Sequence, residues 1–204
     1  MSSINVEFNN KEIILIIMEN VLKMLERRGL VESWTNIFKN ISSDTTGKSI
    51  FEIEIKDKKK YSVYIVNAKL TSIVQGTPLD DYLSNNIDIH KIIVAKDVAK
   101  KVVKQIVSEY TNAEFFFESE MMEDIPSKVF IPVHQLINQD EKNELLSKFS
   151  EQELARIFVT DMMSRYYGAK IGDIFRIVRP SFTSGKNIFY RRVVHGSWDI
   201  LFES

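Results

Sequence analysis

The 204-residue chain has no cysteine, which excludes disulfides and thiolate zinc sites and suits a reducing, intracellular compartment. Histidine is almost as scarce. His90, His134 and His195 lie far apart, and none stands three or four residues from another histidine, so no metal site is expected. Seven glycines and four prolines leave no Gly-rich phosphate loop at a strand–helix junction, and there is no Gly-x-Ser-x-Gly. No apolar run approaches the length of a membrane span, and the first residues lack a basic region followed by an apolar core. Neither a membrane segment nor a signal peptide is therefore expected. No cofactor is expected either. The net charge of -1 argues against a chain that binds nucleic acid by bulk charge alone.

What remains is ordinary globular composition, 44% hydrophobic and 27% charged. Ile13, Ile14, Ile17, Val21, Leu22, Met24 and Leu25 recur at helical spacing, and Arg27, Arg28 and Gly29 predict the helix end. After the loop Thr45–Lys48, Phe51 to Ile55 alternates with period two and predicts a half-buried strand. A charged turn, Lys56 to Lys60, leads into a second strand, Tyr61–Val66. Leu70–Gln75 and Pro78–Ser84 predict short helices. Then follow strand Lys91–Val94, helix Val98–Tyr110 and strand Ala113–Phe117, an alternation that predicts an α/β layer with parallel pairs. Ile125–Lys128 is the expected domain joint, beyond which the pattern becomes short helices and a hairpin.

The segment Leu154–Val194 is lopsided in charge. Arg156, Arg165, Lys170, Arg176, Arg179, Lys186, Arg191 and Arg192 face only Asp161 and Asp173, about +6 inside a near-neutral protein. Such a block suits an acidic partner. Its residues Arg156-Ile157, Asp161, Arg165-Tyr166-Tyr167-Gly168, Gly172-Asp173, Ile177, Arg179-Pro180-Ser181, Thr183-Ser184-Gly185 and Tyr190-Arg191 carry a family pattern, as do Ile131-Pro132-Val133-His134 and Asp140-Glu141-Lys142 upstream. In these residues the chain resembles the jaw subunit shared by eukaryotic RNA polymerases I, II and III, and the counterpart of that protein in the archaeal RNA polymerase. Ala155 and Met162 stand where the family has proline. The N-terminal half matches mainly in the order of its elements.

The resemblance implies an α+β protein of two domains: an N-terminal α/β jaw domain with a restriction-endonuclease-like layer (1–124), and a small α+β assembly domain with short helices and a β-hairpin (125–204). It implies a non-catalytic subunit of a DNA-dependent RNA polymerase. Its partners would be the largest subunit, other polymerase subunits and downstream double-stranded DNA held without sequence preference. The Ile, Lys and Asn bias and the departures from the family suit a large DNA virus or a divergent eukaryote. The corresponding locations are a cytoplasmic viral factory or virion, or a nucleus.

Three clusters are candidate sites. Lys69 and Lys96 fall in loops at the carboxyl ends of predicted parallel strands, and Lys100, Lys101 and Lys104 line the helix that follows. Lysines there suit phosphate contacts, which add affinity but no sequence preference; a solvated helix face is the plainer reading. The family's Thr-Pro-Ser-Ala at that loop is replaced by Asp97-Val98-Ala99-Lys100. Arg165, Arg179 and Arg191, set among aromatics, are candidate anchors for a protein partner, while Tyr167, Ile177 and Tyr190 are expected in the core. Glu54 and Lys56, with Asp44 upstream, have the order of a magnesium-dependent nuclease. That leaves a metal-dependent nuclease as an alternative, though Glu-x-Lys is also common on the wet face of a strand. A polymerase-binding transcription regulator is the other. Trp198, Leu201 and Phe202 predict a tail that packs on this domain or a neighbour.

Overall fold

Asn9 sets the start of the first helix. Its Oδ1 accepts from Glu12 N at 3.0 Å while Glu12 Oε2 accepts from Asn9 N at 2.8 Å, a reciprocal cap that satisfies two otherwise orphaned amides. The computed structural model describes residues 8–43, 48–181 and 185–202. The chain forms two units, Met1–Glu123 and Asp124–Ser204. Both are mixed α and β.

In the first unit, α1 (Asn10–Arg27) buries Ile14, Ile17, Met18, Val21, Leu22, Met24 and Leu25. It ends where Gly29 takes φ +74°, a left-handed conformation that glycine adopts without a Cβ penalty. Then come α2 (Trp34–Ser42), β1 (Ile50–Glu54), β2 (Lys60–Val66), α3 (Pro78–Ser84), β3 (His90–Ala95), α4 (Lys100–Glu109), β4 (Ala113–Phe117) and α5 (Glu118–Met121). The sheet order is β1-β2-β3-β4. β1 pairs antiparallel with β2, whereas β2, β3 and β4 run parallel. Ile92, Ile93, Val94 and Ala95 of β3 are all buried, so both faces of the sheet are covered at its centre. Asn20, buried on α1, donates from Nδ2 to Met121 O at 2.8 Å and ties α1 to α5.

A charged cluster closes the amino end of β3. Arg28 grips Glu114 with two nitrogens, at 2.8 and 2.6 Å, and His90 Nε2 stands 2.6 Å from the same carboxylate. A carboxylate only accepts, so His90 carries its proton on Nε2. Burial alone would raise the Glu114 pKa, but Arg28 and His90 outweigh it and hold the group at about 2.

Two expectations for this unit change. Leu70–Gln75 is not helical; Leu70 instead pairs with Val98 as a parallel bridge. The same bridge holds Val98 extended, so α4 begins at Lys100. The helix α2 had no counterpart in the sequence reading.

The second unit contains β5 (Val133–Leu136), α6 (Gln139–Leu146), β6 (Ala155–Phe158), α7 (Met162–Tyr166), β7 (Ile174–Ser181), β8 (Gly185–Val194) and a 3₁₀ turn over Trp198–Phe202. Its sheet order is β5-β7-β8-β6. β7 pairs antiparallel with β5 and β8, and β6 runs parallel to β8. Ile157, Met163, Ala169, Phe175, Ile177 and Val193 form the core. Of the residues expected there, Ile177 is buried, while Tyr167 and Tyr190 are half-buried. Asp161 caps α7, its Oδ1 accepting from Met163 N at 2.8 Å. Met162 fills the first helical position, where proline is equally at home. Ala155 opens a strand. Gly185 has φ +76°, in keeping with a hairpin turn; Thr183 and Ser184 lie outside the described residues, as do Thr45 to Gly47 of the earlier loop.

The tail folds back onto this unit. Gly196 is buried, and a Cβ added there would stand 2.7 Å from Thr160 Oγ1 and 2.8 Å from Phe158 Cβ. Gly196→Ala is expected to destabilise the protein by about 1–3 kcal/mol, the range for overpacking a filled site. Thermal denaturation checks this, and an unchanged melting temperature would mean the tail moves aside without cost.

Candidate functional site

The second unit's hairpin outruns its neighbours. β5 covers β7 only from Phe175 to Val178, and β6 covers β8 only from Arg191 to Val194. Beyond those points β7 and β8 continue as a two-stranded ribbon, with Arg179 opposite Asn187 and Pro180 opposite Lys186, while Ile177, still beside β5, lies opposite Phe189. Ile188 and Phe189 are 55% and 49% exposed, and Val133 beside the ribbon is 55% exposed. Alternation along a strand puts Ile188 and Phe189 on opposite faces. Large apolar groups on both faces are the pattern of a strand covered on both sides, and among the described residues about half of each stays uncovered.

Charges around the ribbon divide into satisfied and unsatisfied. Arg176 pairs with Glu141 of α6 at 2.9 Å and donates to Gln135 at 2.9 Å. Arg192 pairs with Glu151 at 2.7 Å. Arg165 is buried, and its Nε donates to Thr160 O at 3.0 Å, so it braces the turn before α7 from inside the unit. Of the three arginines read as partner anchors, only Arg179 and Arg191 are exposed. Among the described residues the side chains of those two and of Lys186 have no hydrogen-bond or ion-pair partner.

Arg179, Phe189 and Arg191 border a shallow groove of about 320 Å³ whose lining includes Pro132, His134, Ala155 and Ile177. His134 is held in place: its Nδ1–H donates to Pro132 O at 2.7 Å, and its ring meets Phe175 edge-on at 5.7 Å. Burial keeps the imidazole below its usual pKa, and Arg191 lowers it further. The groove is therefore apolar at its base, neutral at His134 and cationic at its rim. That arrangement suits an apolar segment flanked by carboxylates. Aromatic–arginine composition hinted at this surface. The exposure of Ile188 and Phe189 was hidden, because it depends on how far β5 and β6 reach.

In the first unit the structure brings the predicted lysines together. Leu70 N donates to Asp97 O at 2.8 Å, and Ala99 N donates to Leu70 O at 2.7 Å. The loop after β2 is thereby joined to the loop after β3, which places Lys69 beside the Lys96–Lys101 segment. Lys69, Lys96, Lys100 and Lys101 are all exposed at this carboxyl-terminal edge of the sheet. Acidic Glu118 and Glu120 follow β4, so the basic character belongs to the β2–β3 side.

The nuclease arrangement gains no support. Glu52 and Glu54 lie on the exposed face of β1, Glu52 pairs with Lys60 at 3.4 Å, and Lys56 sits in a 3₁₀ turn past the strand end. Among the described residues no three His, Cys, Asp or Glu side chains are grouped to hold a metal. Asp44 lies outside them. The buried Lys91 is likewise committed, donating to Leu83 O at 2.7 Å and Asn85 O at 2.5 Å as a cap on the end of α3. No helix among the described residues is long and apolar enough to cross a membrane.

Comparison with known proteins identifies relatives of the chain. The family described as "RNA polymerase Rpb5, C-terminal domain" matches residues 123–193. Over nearly the whole chain, it is 30% identical to DNA-directed RNA polymerase subunit 5 of Acanthamoeba polyphaga mimivirus, covering 91% of this chain and 94% of that protein. It is 28% identical to a Dictyostelium discoideum subunit of RNA polymerases I, II and III, covering 89% and 97%. The archaeal subunit Rpo5 of Nitrosopumilus maritimus is 38% identical over 34% of this chain and 87% of its own length.

Proposed function

Because this chain belongs to the RNA polymerase subunit 5 family, we propose that it is a non-catalytic subunit of a multisubunit DNA-directed RNA polymerase. The second unit acts as the assembly domain (125–204) and docks on the largest subunit through the Arg179–Arg191 groove. The first acts as the jaw (1–124), presenting its lysine edge to the downstream duplex. The observation that carries this reading is similarity to a viral polymerase subunit over nearly the whole chain, together with exposed cations and half-exposed apolar groups on one surface. Phosphodiester synthesis needs metal held by carboxylates, and that chemistry belongs to other subunits. The protein works wherever its polymerase does: a viral factory or virion for a viral enzyme, a nucleus for a cellular eukaryotic one.

Affinity purification of the tagged chain from its native source, with stoichiometry, tests the assignment. One copy per polymerase is expected. A substoichiometric yield favours a regulator that binds the polymerase only transiently.

The jaw makes a separate prediction. In the assembled enzyme, Lys69→Glu, Lys96→Glu and Lys101→Glu together are expected to weaken downstream-duplex binding alike on all sequences. They should also flatten its salt dependence, by about 0.9 in log–log slope for each phosphate contact removed. An unchanged slope would remove this edge from the DNA path.

A further inference from the structure

The outer edge of β8 is incomplete. β8 has ten residues, and β6 pairs with only the last four, so Gly185–Tyr190 pairs in the sheet with β7 alone. At about 3.3 Å per residue this leaves roughly 20 Å of β8 without a paired strand on the β6 side. Its first three residues form a two-stranded ribbon with β7, which is marginal in water, and an apolar open edge invites pairing with another chain. Lys186 is the only charge within this stretch.

We infer that an extended acidic–apolar segment of a neighbouring polymerase subunit adds as a strand to β8 along Gly185–Tyr190, collinear with β6. Three observations choose this occupant. Ile188 and Phe189 project to opposite faces with about half of each exposed, and a strand at the edge flanks both, whereas docking against one face covers only one. That stretch of β8 is as long as an ordinary strand. Arg179, Lys186 and Arg191 surround it without partners among the described residues, so carboxylates on the incoming segment are complementary. Backbone pairing supplies the affinity and alternate side chains the specificity. This inference rests on the docking assigned above and specifies its mode.

The test is residue-resolved hydrogen exchange on the full chain, free and within the purified polymerase. Strand addition slows every second amide across 185–190, at least about tenfold, and leaves the alternate amides, already bonded to β7, unchanged. Uniform protection or none, with one copy of the chain still bound per polymerase, overturns strand addition while leaving the docking assignment standing. The same alternating protection in the free chain, rising with its concentration, would make the occupant a second copy and also overturn the inference. Failure of the chain to co-purify at all would remove the docking assignment itself. As a second measurement, Lys186→Glu with Ile188→Asp should lower incorporation tenfold or more without changing the free chain's melting temperature. Unchanged incorporation would count against the edge.

Discussion

Glu114→Ala is expected to destabilise the protein by about 3–5 kcal/mol, the cost of removing the counter-charge of a buried arginine. Arg28 is the main loser, since its guanidinium is 6% exposed and grips both oxygens of Glu114. His90 loses its acceptor as well. Against a typical total of about 5–15 kcal/mol, this approaches unfolding. Denaturant titration checks it, and a loss below about 1 kcal/mol would show that Arg28 finds another acceptor.

The same carboxylate sets an acid limit. Its folded pKa, about 2, lies below the ordinary 4.5. The stabilisation is therefore complete above 4.5 and is lost as pH falls from there through 2, on the order of 3 kcal/mol in all. Stability measured from pH 5 to pH 2 should fall more steeply in the natural chain than in Glu114→Gln, which has no proton to take up.

The second large effect concerns assembly. Arg179→Glu with Arg191→Glu is expected to reduce incorporation into the polymerase by about 30- to 1,000-fold, equivalent to about 2–4 kcal/mol. Both side chains are exposed, so the free chain should keep its stability within about 0.5 kcal/mol. One internal readout reports on the groove: replacing Arg191 removes a cation that depresses His134, so the imidazole should titrate at higher pH. Undiminished incorporation with a shifted His134 would mean the groove is altered but not used. Arg165→Glu makes an instructive contrast. Because Arg165 is buried against Thr160, that variant should fail by unfolding, before any effect on docking can be read.

How much of this was legible depends on the range of the forces involved. The α1 stripe, the alternating β1 and the βαβ run over β3, α4 and β4 are local patterns, and the sequence predicts each within a few residues. Leu70–Gln75 misleads because its apolar spacing suits a helix, while its actual backbone partners, Asp97 and Ala99, lie far along the chain. The strand β6 is hidden for the same reason, since it exists by pairing with β8 more than thirty residues later. At the site, charge and aromatic content pointed to the segment that carries the hairpin. They did not separate Arg165 from Arg179 and Arg191, because burial of an arginine is decided by the turn that closes over it. Lys69 and the Lys96 loop looked like separate features until the Leu70–Val98 bridge joined them.

The position of β8 also has a consequence for biosynthesis. The first unit's sheet is complete once Phe117 has been made, but the second unit's central lane is filled only at Val194, and Gly196 then seals it against Thr160. A ribosome-bound chain therefore carries one finished unit and three strands, β5, β6 and β7, that have not yet received the strand joining β6 to the rest. Units fold whole and in order of emergence. Premature termination anywhere between the end of the first unit and β8 should leave the first unit native and the second unfolded, a product without the hairpin surface.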